Sequence, residues 1–179
     1  MLSLHRVTEK YFNSILDLKE DFIKNAEGRI PGSGALELYN DLNEWYKSIK
    51  KIENGEDNKV VKSTYYLIIK DEDVIGMICY RHILNEELKE FGGQIGYSIK
   101  PSQRQKGYMT EALKLLLNEI KEEILIMCEV NNLASNKIIK ANGGVLIDSI
   151  IKYGLNINRY KIPATDSCIN FNVNLVEKN

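Results

Sequence analysis

Ser3 to Val7 is a short run with Leu4 and Val7 apolar, after which apolar residues take helical spacing at Phe12, Ile15, Leu16 and Ile23. A short strand followed by a helix ending near Asn25 is the prediction. Past the loop GRIPGSG, Ala35, Leu38, Leu42, Trp45, Tyr46 and Ile49 make one stripe of a second helix, closed by the polar run Glu53 to Asn58. Thr64 to Lys70 and Val74 to Ile83 are β-rich runs around Asp71-Glu72-Asp73, a hairpin signal, and Gly92 to Ile99 reads as the next strand. Leu113, Leu116, Leu117 and Ile120 give the helix after Gly107 a buried face, and Ile124 to Val130 returns as a strand. Such a strand-helix-strand crossover favours a parallel pair. A helix over Asn132 to Asn142, stopped by Gly143-Gly144, precedes two last strands near Val145 to Lys152 and Arg159 to Asn172. The expected fold is a mixed α/β sheet with helices on its faces.

With 179 residues, 44% of them hydrophobic, and only three prolines, the chain suits a single domain over 1–179. A formal net charge of -1 offers no general attraction to nucleic acid or to an anionic membrane, and no basic stripe with interleaved aromatics is present. Neither partner is expected. Cys79, Cys128 and Cys168 are odd in number and widely spaced, which reads as thiols of a reducing cytoplasm. His5 and His82 are too few and too distant for a zinc signature, so no metal is expected. No segment approaches the length of a membrane span, and the first residues lack the apolar core of a signal peptide.

Chemistry concentrates in IGYSIKPSQRQKGYMTEALKLLLNEI, Ile95 to Ile120, where a strand, a basic turn and an amphipathic helix follow one another. A helix start carries unpartnered N–H groups and a partial positive charge, so a turn placing Gly107 there can cradle an anion. Arg104 and Lys106 add full charges. There is no GxxxxGK[ST], and no GxGxxG between a strand and a helix, which disfavours an ATPase or a dinucleotide enzyme. Arg104-Gln105-Lys106-Gly107-Tyr108-Met109 resembles the acetyl-coenzyme A loop [QR]-x-x-G-x-[GA] of the GNAT superfamily of N-acetyltransferases, with Met109 in place of the usual small residue. A second stretch, CEVNNLASNKIIKANGG, is similar to the later motif of that family, in which N-x-x-S or N-x-x-A opens a helix ending at glycines. Asn132 and Ser135 hold its polar positions and are also ordinary capping residues. From Thr64 onward the wording resembles a bacterial subgroup of these acetyltransferases, and the first sixty residues match in element order alone.

The resemblance implies the GNAT fold: a mostly antiparallel twisted sheet with a parallel pair around the cofactor loop and helices on both faces. It implies acetyl-CoA as co-substrate, bound by Ser98, Ile99, Arg104, Gln105, Lys106, Gly107, Tyr108, Met109, Thr110, Asn132 and Ser135. It implies direct attack of a primary amine on the thioester, the acceptor being a small-molecule amine, a peptide N-terminus or a lysine. A backbone N–H near Ser98 and Ile99 would polarise the carbonyl. The glutamate base of many relatives is replaced here by Gln94, which can orient a water but cannot take a proton. Glu129, Glu86 and Glu87 are the alternative carboxylates. The tyrosine acid of many relatives falls at Ile139, leaving Ser135 as proton donor, with Tyr97, Tyr153 and Tyr160 in reserve. Arg81, His82 and Asn85 end the third strand and are candidate acceptor contacts, while Trp45 and Tyr46 read first as core. Homodimers are common in the family. The rival reading is a non-catalytic acyl-CoA-binding regulatory domain, which the residues at Gln94, Met109 and Ile139 favour.

Overall fold

A computed structural model of the chain describes residues 1–164. The elements are β1 (Leu2–Arg6), α1 (Phe12–Lys24), α2 (Leu42–Asn54), β2 (Ser63–Lys70), β3 (Asp73–Arg81), α3 (Glu86–Glu90), β4 (Ile95–Ile99), α4 (Tyr108–Ile120), β5 (Ile124–Glu129), α5 (Leu133–Ala141), β6 (Val145–Lys152) and β7 (Leu155–Ile162). Short 3-10 turns sit at Glu9–Tyr11, Leu36–Leu38 and Pro101–Gln103. Cys168 and the far part of the last expected strand lie outside the described residues.

The strands form two antiparallel sheets, in the orders β1-β2-β3-β4 and β5-β7-β6. Both hairpins close with two residues at positive φ, Asp71 and Glu72 between β2 and β3, Tyr153 and Gly154 between β6 and β7. Turns of that shape match the natural twist of paired strands. The second hairpin starts β7 at Leu155, earlier than the expected Arg159.

The parallel pair expected between β4 and β5 is reduced to a single point. Gln94 N–H donates to the Leu125 carbonyl at 2.7 Å, and the Gln94 side-chain Oε1 accepts from Leu125 N–H at 2.8 Å. Beyond that clamp, among the described residues, β4 has ladder partners only on β3, and β5 only on β7. The two sheets part there, and the gap they leave positions the site.

The β1–β4 sheet separates two cores. On one side α1 and α2 bury Ile15, Leu18, Phe22, Trp45 and Ile49 against Leu67, Met77 and Cys79. On the other, α4 buries Met109, Leu113 and Leu116 against Ile68, Ile78, Ile95 and Ile99, with Ile126, Ile139 and Tyr160 joining. Helix α1 presents Leu18 and Phe22 inward and leaves Leu16 and Ile23 exposed, a rotation away from the stripe read in the sequence. The second helix begins at Leu42, because Gly34 and Ala35 have positive φ and Asp41 caps Asn43 N–H at 2.8 Å. Leu38 falls before it and is exposed. Trp45 is fully buried, with Nε1 donating to the Ser33 carbonyl at 2.7 Å, so it locks the GRIPGSG loop into the core.

Candidate active site at the parting of the sheets

Lys100 N–H donates to the Ile75 carbonyl and Arg81 N–H to that of Gln94. In an antiparallel ladder, alternate residues of a strand turn their backbone groups to the same neighbour. Ser98 and Gly96 therefore bond to β3, whereas Tyr97 and Ile99 turn their N–H groups to the open edge facing β5. The carbonyl polariser expected around Ser98 and Ile99 thus narrows to Ile99 and Tyr97. The Ser98 hydroxyl is buried and unpartnered.

Past β4 the chain turns through Pro101–Gln103 into the loop. Gln105 and Gly107 both have positive φ, 62° and 79°. At Gly107 a side chain would meet nothing within 4 Å, so glycine is required by conformation rather than by crowding. Among the described residues, the N–H groups of Gln105, Lys106, Gly107, Tyr108, Met109 and Thr110 have no protein acceptor; Arg104 N–H bonds to Pro101 and Glu111 N–H to Gly107. Such a run of free donors at a helix start is an anion cradle. Met109 does not obstruct it, since its side chain is buried with Leu113 in the core.

The charges expected beside the cradle are engaged elsewhere. Arg104 donates from Nη1 and Nη2 to the two Glu27 oxygens at 2.6 and 2.8 Å and from Nε to the Ile99 carbonyl at 3.1 Å, and its guanidinium lies 5.4 Å from the Phe22 ring centre. That hydrogen bonding holds the Glu27 carboxyl below the ordinary range. Lys106 donates to Gln103 Oε1 at 2.8 Å. Glu27 is invisible in the sequence, because it lies in the segment just past α1 and carries no motif.

Across the gap, Asn132 Oδ1 accepts from Ser135 N–H at 3.0 Å and caps α5, leaving the half-buried Ser135 hydroxyl free to act. Asn136 is the residue that sequence reasoning missed. Its Nδ2 donates to the carbonyls of Glu129, Val130 and Asn132, and its Oδ1 accepts from Asn158 at 2.8 Å and from the Tyr160 hydroxyl at 2.5 Å. The four-residue spacing from Asn132 to Asn136, one helical turn, is the signal available in the sequence. Tyr160, a candidate catalytic residue, is fully buried with its hydroxyl in this knot, and is therefore a core residue. Glu129 ends β5 with its side chain exposed.

Gln94, the other candidate in the chemistry, uses its side-chain oxygen as the clamp on Leu125. Ile139, where many relatives carry tyrosine, is fully buried. The Tyr97 hydroxyl is enclosed and lacks a regular hydrogen bond; burial pushes its phenol up to about 12, with the nearby Ser135 hydroxyl pulling the other way. Cys128, on β5, is raised by burial to about 11.

The candidate acceptor contacts do not converge. Arg81 Nη1 donates to the Gly93 carbonyl at 3.0 Å and holds the turn before β4. Asn85 Oδ1 accepts from Leu88 N–H at 2.9 Å and caps α3, a short helix consistent with the Asn-Glu-Glu pattern at its start. His82 sits 2.8 Å from Thr64 Oγ1 and against the Tyr80 ring, with its basicity lowered first by burial and then by Lys62 and Arg6. Glu86 pairs with Lys89, and Glu87 accepts from the Tyr153 hydroxyl at 2.5 Å, so both carboxylates and that reserve tyrosine belong to surface contacts of α3.

Among solved structures, the chain is similar to RimL, a ribosomal L7/L12 alpha-N-protein acetyltransferase in complex with coenzyme A, at 19% identity and a TM-score of 0.69, covering 92% of this chain and 96% of that one. The microcin C7 self-immunity acetyltransferase MccE, in complex with acetyl-CoA and AMP, is 20% identical with a TM-score of 0.66, over 89% and 91% of the two chains. A spermidine N-acetyltransferase SpeG chimera from Vibrio cholerae is 16% identical with a TM-score of 0.62, over 90% and 95%. No curated protein matches the sequence. The model of the acetyltransferase (GNAT) domain matches residues 18–145, a span containing the clamp, the cradle and the capped α5, and the chain belongs to that family.

Proposed function

We propose that this chain is a single-domain, acetyl-CoA-dependent N-acetyltransferase acting on a primary amine. The free N–H run from Gln105 to Thr110 carries the reading, because it offers a pyrophosphate backbone donors that no protein group uses. The open β4 edge at Tyr97 and Ile99 suits an extended amide arm and a polarised thioester carbonyl, with Asn132 and Ser135 across the gap. Direct attack then breaks the C–S bond and leaves a thiolate. Cys79 and Cys128 are free thiols, which supports placement in a reducing, cytoplasmic compartment.

The acceptor is best an α-amino group. With Gln94 an amide and Glu86 and Glu87 engaged, Glu129 is the remaining carboxylate of the candidate set, and it is solvated. Freeing a lysine-like amine of pKa about 10.4 at pH 7 costs about 4 to 5 kcal/mol, whereas an α-amine near 7.7 to 8.0 costs about 1 kcal/mol. A site with weak base assistance serves the second. The RimL resemblance agrees with this choice, and the spermidine enzyme SpeG marks the alternative acceptor.

The test is release of CoA thiol at pH 7.5 from acetyl-CoA with peptides bearing free N-termini, N-blocked lysine peptides, spermidine and aminoglycosides, beside calorimetric binding of acetyl-CoA. Turnover confined to free N-termini is expected; preference for spermidine would overturn the acceptor class. The locked Gln94 and the buried Ile139 favour one second reading, an acyl-CoA-binding regulatory domain, and tight binding without turnover on any acceptor would select it.

A further inference from the structure

Side chains alternate between the two faces of a strand, so on β4 Gly96 and Ser98 share one face and Ile95, Tyr97 and Ile99 the other. Residues directly opposite on paired strands lie on the same face, which places Gly96 and Ser98 with Cys79 and Met77 on the side of α1 and α2. The face of Ile95 and Ile99 is closed by Met109, Leu113, Ile139 and Tyr160. Ser98 is 7% exposed, and its hydroxyl has no protein partner. An enclosed hydroxyl without a partner is costly to keep, and most buried polar groups in a folded protein have one. Alanine would occupy the same place without that cost. The oxygen is therefore suited to a partner that arrives with a substrate.

Stereochemistry restricts which substrate that is. The Tyr97 and Ile99 N–H groups leave the β4 edge in the plane of the sheet. A carbonyl oxygen accepting from them lies near that plane. A nucleophile must then approach the carbonyl carbon from above or below the sheet, with its lone pair aligned. One approach is filled by the α4 core. The other passes Gly96, where no side chain stands, and reaches Ser98. Gly32 of the GRIPGSG loop and Arg81 Nη2 border it, the Gly32 Cα and that nitrogen each 3.6 Å from where a Gly96 side chain would begin. Resting on the transferase reading above, we propose that the Ser98 side chain is an acceptor-binding group. Its Oγ accepts a hydrogen bond from the amine N–H on the α1–α2 face, which turns the nitrogen lone pair toward the acetyl carbon. Ser98 stands between the two carbonyl donors, about 3.4 Å along the strand from each. The nitrogen bonds to the acetyl carbon, the C–S electron pair moves to sulfur, and the nitrogen proton leaves to solvent. The hydroxyl keeps its own proton.

The test compares the unsubstituted chain with Ser98→Ala. Steady-state kinetics use whichever amine of the panel above, peptide or spermidine, the unsubstituted chain acetylates best, beside calorimetric binding of acetyl-CoA and thermal melting. For Ser98→Ala the expected result is a kcat/KM for the amine about tenfold lower, with acetyl-CoA affinity unchanged within twofold. The melting temperature should hold or rise, because an unpartnered buried oxygen is removed. Equal kcat/KM in the two proteins would overturn the contact while leaving the transferase reading intact. A loss of acetyl-CoA affinity matching the loss in kcat/KM would overturn it by assigning the hydroxyl to the cofactor. A fall in melting temperature would overturn it by showing a structural partner. No turnover of any amine by the unsubstituted chain would overturn the contact and the transferase reading together.

Discussion

Gln94 does two jobs with one residue: its backbone N–H and its side-chain oxygen both bond Leu125, extending a ladder that the diverging strands can no longer make. Removing the side chain strands a Leu125 N–H that is partly shielded from water. Gln94→Ala should therefore lower unfolding stability by about 1–3 kcal/mol, read as a shift in urea midpoint at unchanged slope. No change would mean that solvent replaces the amide and that the clamp is incidental. The position could be found in the sequence by its alignment with a family motif, but its use could not, because an amide imitating backbone depends on where Leu125 passes. Met109 illustrates the reverse. As a letter it looked out of place in the loop, yet its direction into the core is set by the phase of α4, and the N–H it carries stays free.

At the scale of elements, the segment just past α1 reaches the cofactor loop through Glu27 and Arg104. Phosphate and Glu27 would compete for one guanidinium. Glu27→Gln keeps the shape and removes the charge, so acetyl-CoA affinity should rise several-fold at low salt, with the gain shrinking as ionic strength increases. Equal calorimetric affinities would show that Arg104 stays on Glu27 when the ligand binds. The cap of α5 has a simpler expectation: Asn132→Ala should cost about 1 kcal/mol by chemical denaturation. Helices and hairpins with strong periodicity were legible in the sequence, as was the order of the loop and α5. Three features were not. The face of α1 was misread because Leu18 and Phe22 bury in place of Leu16 and Ile23. The start of α2 was set by positive φ at Ala35 and by the Asp41 cap, both local backbone matters. The parting of β4 from β5 arises from tertiary packing, where periodicity says nothing.

For the whole molecule, surface ion pairs set a plateau of stability against pH. Glu27 is held low by Arg104, Glu90 by Lys152, and Asp148 by Arg159. A carboxylate lowered on folding stabilises fully above its unfolded value, about 4, and that contribution disappears as pH falls through the lower folded value. Lys152 is raised by Glu90, so its contribution is complete below about 10.4 and fades as pH climbs through the higher folded value. Melting temperature should be nearly level from about pH 5 to 9 and decline below about 4. A steep decline already between pH 7 and 6 would point instead to a histidine, and His82 would be the first to replace.

The β1–β4 sheet, by keeping the α1–α2 core apart from the α4 core, also partitions the effects of mutation. Substitutions distant from one another and without shared partners add nearly independently. Helix α2 can thus drift or lengthen with little effect on the donors of the cradle, whereas α1 and the GRIPGSG loop touch that side: Asp21 accepts from Ser102 N–H at 2.9 Å, and Gly32 lies against the Gly96 and Tyr97 backbone. An acceptor repertoire can evolve on one side of the sheet under little restraint from the other. Glu27, Asp21 and Phe22 all cross to the loop, and grafts that omit Glu27 should reveal themselves first in nucleotide affinity rather than in folding.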